Sequence, residues 1–324
     1  MSLRFSKAIV RGLISFVPIL RGFVLRKRPG CRPPEYFYSA WMRHLVSLHS
    51  VTGKCSFSKV AELGPGANLG MGICAILSGS QRYYALDVEA FADIQENLKL
   101  LDSLLELFRQ RAPIPDDEMF PKLKPKLENY SFPENIFKEE FLENLLAEER
   151  VERLRKMILS LHGPVEDTGQ EPFFRYKAPW MSEKGNEPQD LNLVFSQAVM
   201  EHVDQAEKCY GRMADFLGSE GLMSHQIDFK SHGTAEQWNG HWAYCNLTWR
   251  IISGTKPYSL NRLSHSKHQR ILRDHGFDIL HEQLARDLNG ISRDALAPQF
   301  RDYTDKDLET SGAYILSQKS SSAF

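Results

Sequence analysis

One short stretch, Ser224-His-Gln-Ile-Asp-Phe-Lys-Ser-His232, is followed closely by Trp238-Asn-Gly-His-Trp242, a density of proton-handling side chains unusual for a surface loop. His225, Asp228, His232 and His241 each have the chemistry of a general base that could take a proton from a hydroxyl nucleophile. Trp238, Trp242 and Tyr244 offer flat faces on which a sugar or an aromatic ring would stack. The competing reading makes any one of these histidines a hydrogen-bonded wall residue. Their spacing of seven and nine residues matches no zinc-ligand pattern, so no metal is expected there.

A second group is Glu62-Leu-Gly-Pro-Gly-Ala-Asn68. Gly64 and Gly66, around Pro65, let the backbone approach a ligand closely, and the helix expected next offers its free N–H groups. A dinucleotide fingerprint needs a glycine three residues after Gly66, but Leu69 stands there and Gly70 comes one place late. Glu62 would also repel a pyrophosphate, so a nicotinamide oxidoreductase is disfavoured. Asp87 lies 21 residues beyond Gly66, where a carboxylate can accept both hydroxyls of a ribose.

The elements that must position these groups follow from periodicity. Residues 59–63 read as a strand running into the glycine turn, 69–77 as a small-residue helix, 83–88 as a second strand, and 90–111 as a helix with Ile94, Leu98, Leu101, Leu105 and Phe108 on one face. A proline-rich, charged stretch at 112–135 reads as a loop, and 136–161 as one surface helix. Strands are expected at 172–178, 190–196, 221–229, 277–281 and 313–317, with helices at 205–217 and 267–275. Strands alternating with helices predict an α/β fold with a doubly wound sheet, whose ligands bind at the carboxyl ends of the strands.

With these residues in order, residues 59–230 resemble the class I S-adenosylmethionine-dependent methyltransferases whose motifs read E-L-G-P-G and F-S-Q-A-V-x-E-H-V. The resemblance implies a Rossmann-like, seven-stranded, mostly parallel sheet with an antiparallel last strand, and S-adenosylmethionine as cofactor. It places Glu62, Gly64, Pro65 and Gly66 in the loop under the amino acid part of that cofactor. Asp87 becomes the ribose partner, and Ser196, Gln197 and Ala198 fall beside the methionine portion. Asn68 stands for the family's third glycine and tolerates left-handed backbone. The usual adenine-contacting acid is replaced by Tyr176-Lys-Ala-Pro-Trp180. Glu201-His202 is similar to an acid–histidine pair that holds a divalent ion in ubiquinone-type O-methyltransferases, but the further acid three residues earlier is Ala198; helix capping is the preferred reading of the pair, and no metal is expected.

At 324 residues, with 40 basic and 41 acidic side chains, the composition is that of an ordinary globular protein. The five cysteines form no C-x-x-C pair, which reads as reduced thiols in a cytoplasm. Near-neutrality hides an asymmetry. Residues 1–34 carry Arg4, Lys7, Arg11, Arg21, Arg26, Lys27, Arg28 and Arg32 and no acid, leaving 32 basic against 41 acidic side chains in 35–324, a net −9. That acidity, without a basic stripe, disfavours nucleic acid. Only residues 12–20 of the apolar N-terminal stretch are free of charge, far short of a spanning helix, and no signal-peptide cleavage site follows. Val10, Leu13, Ile14 and Val17 at helical spacing, beside Arg4, Lys7 and Arg11, predict a basic amphipathic helix. Its apolar stripe either covers the domain or meets anionic lipid, the latter making residues 1–30 a peripheral contact at the inner face of the membrane.

The expected organisation is a helical N-terminal segment, 1–58, and a methyltransferase domain, 59–324, with a helical and loop insertion at 112–185 and a substrate cover at 231–270. The expected activity is O-methylation of a saccharide, a polysaccharide precursor or another small molecule. An aromatic natural product as acceptor and a non-catalytic cofactor-binding protein are the alternatives. The sequence leaves the oligomeric state open.

Overall fold

The structure, a computed structural model, describes residues 3–19, 32–163, 172–181, 187–256 and 258–320. Apolar runs of five to twelve residues become seven strands: β1 (Lys59–Leu63), β2 (Arg82–Leu86), β3 (Phe173–Lys177), β4 (Leu191–Gln197), β5 (Leu217–Asp228), β6 (Phe277–Arg286) and β7 (Thr310–Lys319). They form one sheet in the order β3-β2-β1-β4-β5-β7-β6. The first five pair in parallel, and β7 runs antiparallel to both β5 and β6. The order reverses direction between β1 and β4, so the carboxyl ends of β1, β2, β4 and β5 frame the crevice where such sheets bind ligands.

Helices cover both faces: α1 (Leu3–Ser15), α2 (Pro34–Thr52), α3 (Gly70–Leu77), α4 (Ile94–Arg109), α5 (Glu139–Leu145), α6 (Glu148–Leu159), α7 (Ala206–Phe216), α8 (Asn246–Ser253), α9 (His265–Asp274) and the short α10 (Asp305–Glu309). One core joins α2, α3 and α4 to Val60, Leu193, Phe195 and Leu222; the other joins α7 and α9 to Ala61, Val194, Met223 and Ile315. Strand side chains alternate between faces, which is why neighbours such as Val194 and Phe195 serve different cores.

Several expected boundaries change. The N-terminal segment is not a separate unit, because α2 buries Phe37, Tyr38, Trp41, Met42, Leu45 and Leu48 in the main core. Arg43, fully buried on α2, pairs with Asp117 at 2.8 Å and donates to the Pro115 and Leu123 carbonyls, tying the proline-rich stretch to the domain. The insertion at 112–185 contains β3, an integral edge strand, and its single expected helix is two helices that break at Leu146-Ala147. The α1 apolar stripe does not cover the core: Val10, Leu13 and Val17 are exposed, Ile14 is half-buried, and Ala8, Gly12 and Ser15 form the buried face against α8. Residues 20–31, with four of the eight basic side chains, lie outside the described residues.

Candidate functional site at the strand carboxyl ends

The turn after β1 is built on left-handed backbone at Gly64 (φ 65°) and Gly66 (φ 70°). The Gly64 N–H donates to the Leu86 carbonyl at 2.8 Å, locking the turn to β2. A Cβ on Gly64 would lie 2.7 Å from Val199 Cγ1, so glycine is required there for packing as well as for backbone geometry. Asn68 does not adopt the left-handed conformation expected of it; the two glycines alone supply it in this turn. Asn97 on α4 holds the loop from behind, accepting from the Leu69 N–H at 2.7 Å and donating to the Ala67 carbonyl at 2.9 Å. That support was missed in the sequence, since a polar residue on an apolar helix face gives no sign of its partner.

Asp87, just past β2, is 5% exposed. One carboxyl oxygen accepts from the Gly66 N–H at 2.8 Å and the other from the Val88 N–H at 2.7 Å. Burial raises its pKa against the effect of these bonds. A carboxylate has about four acceptor positions, so two remain for ligand hydroxyls.

Glu62, near the end of β1, is 5% exposed. Its buried carboxyl accepts from the Tyr83 hydroxyl at 2.6 Å, and burial pushes its pKa up to about 8. The charge of Asp87 also reaches it. Tyr36 on α2 sits within the electrostatic reach of both Glu62 and Glu201, with the Arg32 guanidinium 4.9 Å over its ring.

At the end of β4 the three expected residues separate. Ser196 is fully buried and bonds the His225 Nδ1 at 2.8 Å on the opposite side of the sheet from the turn. Gln197 bonds His44 at 3.0 Å and the Gln226 side chain. Ala198 takes left-handed backbone (φ 54°), an uncommon conformation for alanine, and donates its N–H to the Gln226 carbonyl at 2.9 Å. Local strain of this kind tends to cluster at functional sites, and this one lies directly beside the glycine turn through Val199.

The expected bases also divide. His225 is fully buried between Ser196 and Tyr210, and burial with the neighbouring His44 and His268 lowers its pKa to about 3; it is an interior histidine and leaves the candidate bases. Asp228 and His232 do come together, with His232 Nε2 3.3 Å from Asp228 Oδ2. Burial alone would raise the Asp228 pKa, but bonds from His232 and the charge and N–H of Lys230 hold it down to about 2. His232 itself has left-handed backbone (φ 46°). His241 is buried beside Trp242 and Trp249, its pKa lowered to about 3 by burial and then by Arg262, which makes it a poor base from inside the wall.

Glu201 and His202 form the part of the site that the capping reading concealed. Glu201 is 3% exposed, neither carboxyl oxygen makes a hydrogen bond of normal geometry, and burial raises its pKa to about 8. His202 is depressed to about 4 by burial and by His232. Ligand atoms of Glu201, His202 and His232 all lie within 4.8 Å of one another, a donor set that suits a divalent transition ion. Sequence adjacency of Glu201 and His202 was visible; the arrival of His232 from the loop after β5 was not.

A polar cleft of about 620 Å³ opens beside this group, lined by Arg4, Lys122, Asp228, Lys230, His232 and Asp287 among others. The tryptophans expected to stack are packed into the wall: Trp242 is fully buried, Trp238, which borders the cleft, is 7% exposed, and their indole N–H groups donate to the Arg262 and Asp287 carbonyls respectively. Tyr244 stacks on Phe5 of α1 at 5.1 Å.

No protein-family model matches the chain, and no curated protein does. Among solved structures, an S-adenosylmethionine-dependent methyltransferase from Mesorhizobium loti is 11% identical, with 84% of this chain and 96% of that one covered at a TM-score of 0.40. A SAM-dependent methyltransferase from Methanosarcina mazei is 10% identical, with 85% and 97% covered at 0.41. The CurJ carbon methyltransferase is 10% identical, with 98% and 67% covered, also at 0.41.

Proposed function

We propose that this chain transfers a methyl group from S-adenosylmethionine to a hydroxyl oxygen of a small polar acceptor of the saccharide class. The observation that carries the reading is Asp87, a buried carboxylate with acceptor positions to spare, anchored to a left-handed Gly64-Pro65-Gly66 turn at the switch point of the sheet. When bound there, S-adenosylmethionine supplies an electrophilic methyl group on a sulfonium that is its own leaving group. Asp87 would accept the ribose hydroxyls, and the cramped Ala198–Val199 corner would border the methyl-bearing end. His232 faces the cleft with Nε2 held by Asp228, leaving Nδ1 to accept the proton of the acceptor hydroxyl. His232 would thus hold the proton that the acceptor hydroxyl gives up on methylation, with Asp228 bracing the imidazole. The mixed charge of the cleft favours a hydroxyl-rich acceptor over a flat aromatic one.

The unpartnered Glu201 carboxyl favours a second reading of the acceptor step, in which Glu201, His202 and His232 hold a divalent cation that binds and acidifies the acceptor oxygen. Calorimetric titration with S-adenosylmethionine, S-adenosylhomocysteine and NAD tests the cofactor: binding of the first two and not the third is expected, and silence from all three overturns the proposal. Titration with Mn²⁺ and Zn²⁺ separates the two acceptor readings. One equivalent bound, and lost on Glu201→Gln, supports the cation; no binding leaves His232 as the base.

A further inference from the structure

We propose that α1 docks on an anionic lipid surface and holds the acceptor cleft at the level of the headgroups. The helix is turned opposite to what core packing would produce. Its small residues face inward: a Cβ on Gly12 would fall 1.8 Å from the Ile251 carbonyl, and Ser15 accepts from the Thr255 N–H at 2.9 Å while its own carbonyl accepts from the Thr255 hydroxyl at 2.7 Å. Its large residues face outward. Val10 and Leu13 on the helix are 53% and 51% exposed, Phe16, Val17 and Ile19 just past its end are 44–86% exposed, and Leu247 on the neighbouring α8 is 70% exposed. A soluble surface seldom gathers this many bulky apolar side chains in one place, and such a patch marks an interaction site.

Charge selects the occupant. Arg4, Lys7 and Arg11 are exposed on the flank of the apolar stripe, and residues 1–34 hold eight basic side chains and no acid, while the rest of the chain is net acidic. An apolar stripe edged by Lys and Arg on a helix too short to span is the pattern of an interfacial helix on anionic lipid. A second copy of this chain would also bury the stripe, but it would bring the two basic segments together. Arg4 lines the polar cleft beside Asp228 and His232, so the surface that meets lipid also borders the acceptor site. On the function proposed above, the acceptor is then one carried at a membrane, such as a lipid-linked saccharide.

The test is co-sedimentation of the full chain with vesicles of phosphatidylcholine alone and of phosphatidylcholine with phosphatidylglycerol, beside the double variant Leu13→Asp/Val17→Asp. Both side chains are solvent-facing, so the variant is expected to keep its fold, which circular dichroism checks, and to keep cofactor binding. Expected is binding to the anionic vesicles only, weakened by salt and reduced at least about tenfold in the variant. Absence of binding to anionic vesicles, or equal binding by the variant, overturns the proposal. Dimerisation that the same variant abolishes overturns it in favour of an interface between copies. Cofactor titration on the same samples reads the functional proposal separately.

Discussion

Asp87 and His232 answer to different measurements, which makes their roles separable. Asp87→Ala removes the acceptor for the Gly66 N–H together with the proposed ribose contact, so S-adenosylmethionine affinity should fall by about tenfold or more, read by calorimetry. His232→Ala should leave that affinity unchanged and lower kcat by roughly two to four orders of magnitude if the imidazole takes the proton. His225→Ala should instead lower the thermal midpoint, because it strips the buried Ser196 hydroxyl of its partner. The sequence showed which residue types were present but not which way they face. His225 and Asp228 stand three apart on one strand and so point to opposite sides of the sheet, one into the α7–α9 core and the other into the cleft. Glu201 was hard to read for a related reason: a carboxylate after a strand is a good cap by type, and only the packing around it shows a buried carboxyl with no hydrogen bond of normal geometry.

At the level of elements, the glycine turn and α2 carry the clearest expectations. Gly64→Ala combines a left-handed alanine with a 2.7 Å contact to Val199, a cost of at least ~1–2 kcal/mol from the backbone alone. Adding Val199→Ala should recover the contact part of the loss and none of the backbone part, a partition that denaturant melts would resolve. Arg43→Ala leaves the buried Leu123 carbonyl without its donor, while Asp117 keeps Lys126 and the Pro115 carbonyl keeps Ser39, and a loss of about 1–3 kcal/mol with loosening of residues 112–125 should appear in hydrogen exchange. Strand positions and the strand–turn–helix unit were legible because period-two and period-3.6 patterns are local, whereas the antiparallel end came only from the family resemblance. The depth of α2 in the core was not, since Arg43, His44 and Ser47 interrupt its apolar face and find partners only on elements far along the chain. The two-helix break at Leu146-Ala147 was equally hidden, as no proline or glycine marks it.

For the molecule as a whole, buried ionisable groups set opposing slopes of stability with pH. Burial depresses His44 to about 4 and His225, His241 and His268 to about 3, so each contributes stability above its usual 6.5 that is lost as pH falls toward those values. Glu62 and Glu201, raised to about 8 by burial, contribute stability below their usual 4.5 that is lost as pH rises through 8. The thermal midpoint should therefore decline on both sides of a maximum between those limits. Glu62→Gln should flatten the alkaline limb and leave the acid limb as it was; an unchanged alkaline limb would refute the assignment. The clasp between α1 and Thr255 has an architectural consequence. Thr255 follows α8 and Tyr244 precedes it, so the first helix of the chain acts as a keystone for that segment: with α1 removed, the Thr255 N–H loses its bond to Ser15 and Tyr244 loses the ring of Phe5. Any event that lifts α1, whether a protease or a fused domain, would then slacken residues 244–255 as well, so attachment at the front of the chain bears on the order of a segment some 240 residues further on.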